Sequence, residues 1–240
     1  MIPDFTLFVP FFNEAACLDA TVAEILDELR PGALRVELVL VDDGSFDDSR
    51  RMADRWSREP DVSVVRHPFN LGYGRALATG FAAGTAPCVG YMDADLPVLP
   101  TRCVDAVGLL AEADLVVGRP AHRNRSPRRH VYSRGYNALV RTLFGVRVTD
   151  VNYPFKFARR DAVQGLTLDS RSGFIDAELV VEIARRGGRV REIEVDHQPR
   201  RAGCSHFDGP FAPLPTGREA LRFWARSRRF AKHSKTAPGA

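Results

Sequence analysis

Sulfur and long apolar runs are both scarce in this chain. Four cysteines, Cys17, Cys88, Cys103 and Cys204, are scattered through 240 residues with no CxxC pair, which fits a reducing cytosol better than an oxidising compartment. The N-terminus lacks the basic-then-apolar pattern of a secretory signal. No stretch approaches the roughly 20 apolar residues that cross a bilayer; the longest runs, such as Val36 to Val41, are short and strand-like. A GxGxxG turn after the first strand is missing too, and an acidic segment stands in its place, which argues against a dinucleotide-binding domain. Basic residues come without a recognised nucleic-acid module, so no nucleic-acid partner is expected.

The remainder has ordinary globular composition, 45% hydrophobic and 27% charged, enough for one substantial core. The net charge of +4 is unevenly spread, because Gly217 to Ala240 carries seven Arg and Lys against one Glu. The rest is therefore slightly acidic. A domain over 1–215 followed by a basic amphipathic helix and tail over 216–240 is the expected organisation.

Short β-rich runs alternate with helical stretches in the first half. Phe5–Phe11, Glu37–Val41, Val62–Arg66, Cys88–Met92 and Leu115–Val117 read as strands. That alternation predicts an α/β fold with a mostly parallel, doubly wound sheet flanked by helices. The basic, proline-containing stretch His122–Arg129 reads as a mobile loop. Beyond it Tyr132–Phe144 and Asp176–Arg186 read as helices, and Phe155–Ala158 and Val190–Asp196 as strands.

Ligands of such sheets collect beyond the carboxyl ends of the strands. Those ends are acidic here: Pro10-Phe11-Phe12-Asn13-Glu14, then Asp42-Asp43-Gly44-Ser45, then Asp93-Ala94-Asp95. So much negative charge on one edge is costly unless a cation or hydrogen-bond donors share it. Asp93 and Asp95 supply the hard oxygen ligands that suit Mg²⁺ or Mn²⁺, ions that also bridge phosphate oxygens. The plainer explanation is helix capping, for which Ser45 and Asp47 are well placed.

Asn70 to Gly80 is a glycine-rich turn running into a small-residue helix able to pack closely on its neighbours, with Arg75 available for phosphate or sugar contacts. His197, Cys204 and His206 match no standard zinc spacing. His67 ends the third strand.

Val9–Glu14, Val41–Ser45, Asn70-Leu71-Gly72, Met92–Asp95, Val117-Gly118-Arg119, Arg129 with Ser133, and Arg200-x-x-Gly203-x-Ser205 stand in an order and spacing that resembles glycosyltransferase family 2. The resemblance is greatest to its dolichol- and polyprenyl-phosphate mannosyl- or glucosyltransferase branch and extends through about Phe207. It implies a GT-A fold in which Pro10, Phe12, Glu14 and Asp42, with Asp43, hold the nucleotide, and Asp93, Ala94 and Asp95 carry the metal and diphosphate. Arg119, Arg129, Ser133, Arg200 and Ser205 would surround the phosphates, in keeping with the match between guanidinium forks and phosphate oxygens. Two positions depart from the pattern: Pro97 stands where the branch has a metal-binding glutamine, and Pro154 where it has glycine.

The expected reaction moves a hexose, with inversion, from a nucleotide diphosphate sugar to a polyprenyl phosphate, using Mg²⁺ or Mn²⁺. A phosphate acceptor is already anionic near neutral pH and needs no strong base, whereas a hydroxyl acceptor on a glycan or natural product needs one. Asp150, Asp176 and Glu178 are the candidates for that base; Asp176 and Glu178 also suit a helix N-terminus, where the dipole favours carboxylates. A catalytically silent nucleotide-sugar-binding subunit is the remaining reading, prompted by Pro97. Leu221, Trp224 and the surrounding arginines of the tail suggest peripheral contact with an anionic membrane or a membrane partner, at the inner face of the cell membrane.

Overall fold

The computed structural model describes the backbone at residues 2–122, 127–198 and 213–233, and the side chains at these positions except 127–132, 213–215 and 227–233. Seven strands form a single sheet: β1 (Phe5–Phe11), β2 (Val36–Asp42), β3 (Val62–Arg66), β4 (Cys88–Met92), β5 (Leu115–Pro120), β6 (Phe155–Arg159) and β7 (Val190–Val195). Their order across the sheet is β3-β2-β1-β4-β6-β5-β7. All pairings are parallel except those of β6, which runs antiparallel between β4 and β5.

Among the described residues eight helices connect or flank the strands: α1 (Leu18–Leu29), α2 (Ser49–Trp56), α3 (Tyr73–Ala83), α4 (Arg102–Leu109), α5 (Pro127–Phe144), α6 (Arg160–Val163), α7 (Ile175–Arg185) and α8 (Pro213–His233). The strands are apolar on both faces, as expected when helices cover both sides of a parallel sheet. Alternate residues of β1 divide accordingly: Phe5, Leu7, Val9 and Phe11 enter one core with α1 and α4, and Phe8 enters the other with α3 and α7. On that second side Gly80 of α3 lies flat on Phe8, where a Cβ would sit 2.1 Å from the ring. The small-residue helix is thus a close-packing device.

Most strand bounds match the sequence pattern to within a residue or two. β5 is longer than expected, reaching Pro120. α5 begins at Pro127, inside the stretch expected to be a loop, because proline is well tolerated in a first helical turn. α8 presents a different face from the one its pattern suggested. Ala220 and Phe223 are buried, with Phe223 against Phe144 and Phe174, while Leu221 is 56% exposed. Glu219 accepts hydrogen bonds from the N–H groups of Arg171 and Ser172 and from the Ser172 hydroxyl, and Arg226 pairs with Asp169 at 2.6 Å. The first turns of α8 are therefore docked on the core.

Candidate active site

Parallel pairing brings the carboxyl ends of β2, β1 and β4 side by side, with the start of antiparallel β6 next to β4 on the same edge. The loops after β1 and β2 are laced together: the Asn13 N–H donates to the Ser45 hydroxyl at 3.0 Å, the Phe46 N–H to Asn13 Oδ1 at 3.0 Å, and the Ala15 N–H to Asp47 at 3.1 Å. Asp47 also accepts the Ser49 N–H at the start of α2, but the N-cap is Asp48, whose side chain makes no capping hydrogen bond, and Ser45 serves the β1 loop instead of the helix. Asn13 takes a left-handed backbone, φ +56°, to make the lacing possible.

The two aspartates after β2 face inward. Asp42 is fully buried; it accepts the Ser45 N–H at 2.8 Å and the Arg66 Nε–H at 2.8 Å. Asp43 meets His67 Nδ1 at 2.7 Å and accepts the N–H groups of Leu71 and Gly72, each at 2.9 Å. His67 in turn reaches the Thr79 hydroxyl at 2.9 Å, so it does more than end β3. Asp43 thereby pins the turn that starts α3. Gly74 seals that turn from the other side: its N–H donates to the Arg171 carbonyl at 3.0 Å, and a Cβ there would lie 2.2 Å from the Ser170 carbonyl oxygen.

The pair after β4 is less deeply buried. Asp93 and Asp95 are both half-buried, and Asp93 Oδ1 accepts the Tyr73 hydroxyl at 3.1 Å. Ala94 between them is buried, and its carbonyl accepts the Thr21 hydroxyl of α1. Leu96, next in the chain, is forced to φ +49°, a region that costs an ordinary side chain roughly 1–3 kcal/mol. Its side chain is buried in the core, which is what holds the strain in place. Pro97 is buried as well, and its carbonyl accepts the Gln198 N–H at 2.9 Å from the end of β7.

Beneath this loop lies a group of residues that the sequence pattern did not single out. Tyr91 of β4 and Lys156 of β6 are register partners, and both are fully buried. Lys156 Nζ donates to Asp176 Oδ1 at 2.6 Å, to the Tyr153 carbonyl at 2.7 Å and to the Tyr91 hydroxyl at 3.2 Å. The Tyr91 hydroxyl donates to Asp176. Burial pushes the Asp176 carboxyl above the usual carboxylate value, with Lys156 opposing the shift. Burial, reinforced by nearby carboxylates, keeps the phenols of Tyr73 and Tyr91 protonated far beyond neutral pH. A lysine between Phe155 and Phe157 in a strand apolar on both faces is the sequence signal that could have revealed this group.

The other expected residues fall as follows. Pro10 is buried within β1, and Phe12 and Glu14 are half-buried just beyond it. Phe12 meets the exposed ring of Phe46 edge-on at 5.8 Å. Asp150 is buried before β6, close enough to Asp176 to raise that group's pKa further. Glu178 is buried and accepts the N–H groups of Asp169 and Ser170 at 3.2 and 2.9 Å. Arg119, at the end of β5, pairs with Glu194 of β7 at 2.7 Å. Ser133 on α5 bonds Asn137, whose Oδ1 accepts the Val151 N–H and so ties α5 to the loop holding Asp150. Arg75 turns away from the edge: it donates to the Leu168 carbonyl at 3.2 Å and lines a cavity of about 440 Å³ between α3 and α6 with Arg160 and Gln164. The Arg129 side chain, Arg200, Ser205 and the Cys204–His206 pair lie outside the described residues.

Among the described residues no three His, Cys, Asp or Glu side chains gather into a ready-made metal cage. That is compatible with Mg²⁺ or Mn²⁺, which is commonly held by one or two carboxylates with substrate phosphates and water completing the shell. Nor is any helix of the described residues long and apolar enough to cross a membrane.

Comparison with known proteins follows the same lines. Residues 6–170 match the family model described as glycosyl transferase family 2. A glycosyltransferase named AglD from Haloferax volcanii is 32% identical over 91% of this chain and 36% of its own length. An undecaprenyl-phosphate 4-deoxy-4-formamido-L-arabinose transferase from Shewanella sediminis is 32% identical over 84% of this chain and 61% of its own. The chain thus spans about a third and three-fifths of those two relatives. An uncharacterized glycosyltransferase of Mycobacterium tuberculosis is 34% identical over 85% of this chain and 89% of its own length. Among solved structures, glucosyl-3-phosphoglycerate synthase from M. tuberculosis superposes with a TM-score of 0.73 at 21% identity, covering 92% of this chain and 79% of that one. The same enzyme has been solved with Mn²⁺ and UDP-glucose, with a TM-score of 0.70 to this chain. At that identity the likeness establishes the GT-A fold alone.

Proposed function

The chain belongs to glycosyl transferase family 2, and from that premise we propose that this glycosyltransferase moves a hexose from a GDP- or UDP-sugar to a polyprenyl or dolichyl phosphate, with inversion and with Mg²⁺ or Mn²⁺ bound. The observation that carries the choice of acceptor is the state of the three carboxylates available as a base. Asp176 is locked to Lys156, Glu178 is spent on the backbone of 169–170, and Asp150 is 1% exposed. A hydroxyl acceptor needs one of them free to take its proton; a phosphate acceptor needs none. The name of the undecaprenyl-phosphate relative supports the same reading.

In this reading Asp93 and Asp95 hold the divalent ion, which neutralises the donor's diphosphate. Phe12 and Glu14 border the nucleotide at the end of β1, and Asp42, fully buried and bonded to Ser45 and Arg66, supports that edge from beneath. Arg119, Arg129, Arg200 and the hydroxyls of Ser133 and Ser205 receive the donor and acceptor phosphates, stabilising the charge that develops as the sugar leaves the diphosphate. The exposed side of α8, with Arg218, Leu221 and Arg222, rests on an anionic bilayer and brings the lipid phosphate within reach.

The test is incubation with a panel of nucleotide sugars and Mn²⁺ or Mg²⁺, with and without a short polyprenyl phosphate. Release of nucleoside diphosphate that depends on both lipid and metal is the expected result. Release driven by hydroxyl acceptors and indifferent to the lipid phosphate would overturn the acceptor assignment.

A further inference from the structure

We propose that Tyr73 is a positioning residue: its hydroxyl holds Asp93 in place for the donor-bound cation. The inference rests on the reading of Asp93 as a ligand of the divalent ion.

Lys156 commits its three N–H groups to the Tyr153 carbonyl, Asp176 and Tyr91, and Tyr91 gives its own proton to Asp176. The single proton of the Tyr73 hydroxyl goes to Asp93 Oδ1 at 3.1 Å, a half-buried carboxylate at the strand edge.

Packing alone gives no reason for this hydroxyl. Tyr73 is seated by backbone contacts, with Asp43 gripping the N–H groups of Leu71 and Gly72 on one side and the Arg171 carbonyl receiving the Gly74 N–H on the other. A phenylalanine would fill the same place. The phenolic oxygen adds one thing, a fixed partner for Asp93, whose loop is otherwise strained at Leu96 and must be kept from relaxing.

The test compares wild type, Tyr73→Phe and Asp93→Asn, measuring binding of Mn²⁺ with UDP or GDP by calorimetry and by loss of the free Mn²⁺ spin-resonance signal, beside the melting temperature. Outer-shell partners of metal ligands typically change metal affinity by roughly 10–100-fold, so Tyr73→Phe is expected to weaken metal–nucleotide binding about tenfold and to raise the Mn²⁺ requirement of turnover by the same factor. Its melting temperature and its metal-free nucleotide binding should stay at the wild-type level. Unchanged metal binding in Tyr73→Phe while Asp93→Asn abolishes it would overturn the positioning role alone. Unchanged binding in Asp93→Asn would remove the ligand assignment, and the inference with it.

Discussion

The loops after β2 and β4 both end a parallel strand with two aspartates, yet the structure uses them in opposite ways. Asp42 and Asp43 direct their oxygens into the protein: one accepts a turn N–H and a guanidinium, the other a histidine and two N–H groups from the start of α3. Asp93 and Asp95 stay half-buried, with Asp93 accepting the Tyr73 hydroxyl. A count of acidic residues at strand ends is therefore not a count of ligands. What separates a latch from a grip is how far each carboxylate is withdrawn from the strand edge into the protein.

The sharpest way to break the comparison is Asp95→Ala. If the β4 loop is the grip, turnover falls on the order of 10³-fold or more, because the metal's several kcal/mol of charge stabilisation is lost. The melting temperature stays near wild type, since Asp95 is half-buried at the strand edge rather than sealed in the core. A variant with normal metal-dependent turnover would return Asp95 to the status of a surface turn residue.

Asp43→Ala tests the other side, and its effect belongs on stability. The substitution strands His67 Nδ1 and the N–H groups of Leu71 and Gly72 at a site only 3% exposed. Removing the acceptor from several buried donors costs about 2–4 kcal/mol, which urea unfolding would detect as a lower midpoint at constant slope. Turnover should fall too, but through a displaced α3 turn that carries Tyr73. A variant as stable as wild type would mean that water replaces the carboxylate and that Asp43 is free to serve a ligand.

These two loops also mark where the sequence could and could not be read. Strand positions were legible because apolar runs bounded by Gly, Asp and Pro leave little choice, and so was the shared acidic edge, which follows once the strands are parallel. The division of labour among the aspartates was not. The donors that occupy Asp43 lie 28 and 29 residues away along the chain, and no local pattern announces such a pairing. The reversed direction of β6 was equally hidden, since alternation reads the same both ways. It matters for the site, because only the antiparallel register sets Lys156 opposite Tyr91 and so converts Asp176 from a candidate base into an internal counter-ion. The tail shows the same limit: helical periodicity marked Leu221 and Trp224 as the apolar face, but the core took Ala220 and Phe223.

That exposed Leu221 gives a third, smaller contrast, between the docked and the outward side of α8. Deleting residues 217–240 would strip Phe223 from the core and confuse unfolding with loss of binding, so the informative change is Leu221→Glu. Loss of an apolar contact and repulsion from an anionic surface, at roughly 1 kcal/mol per charge, should weaken binding to phosphatidylserine vesicles about fivefold in a flotation assay. The melting temperature should not move. Equal flotation of variant and wild type would remove the bilayer contact from the proposal.

The mildest expectation concerns an acidic latch on the outside of the molecule. Arg30 forks onto Asp61 at 2.6 and 3.0 Å and onto Glu59 at 2.7 Å, and all three side chains are more than a quarter exposed. The Arg30 hydrogen bond holds the Asp61 carboxyl below its usual range. A depressed folded-state pKa contributes stability above the unfolded value, and that contribution disappears as pH falls through the folded one. Asp61→Asn should thus cost at most about 1 kcal/mol at pH 7, and less at high salt, because exposed pairs are screened. The stabilities of variant and wild type should converge as the solution is acidified below the ordinary carboxylate range. A loss comparable to that of Asp43→Ala would show that exposure does not set the strength of a latch in this fold, and the contrast between buried and outward-facing carboxylates would have to be drawn on other grounds.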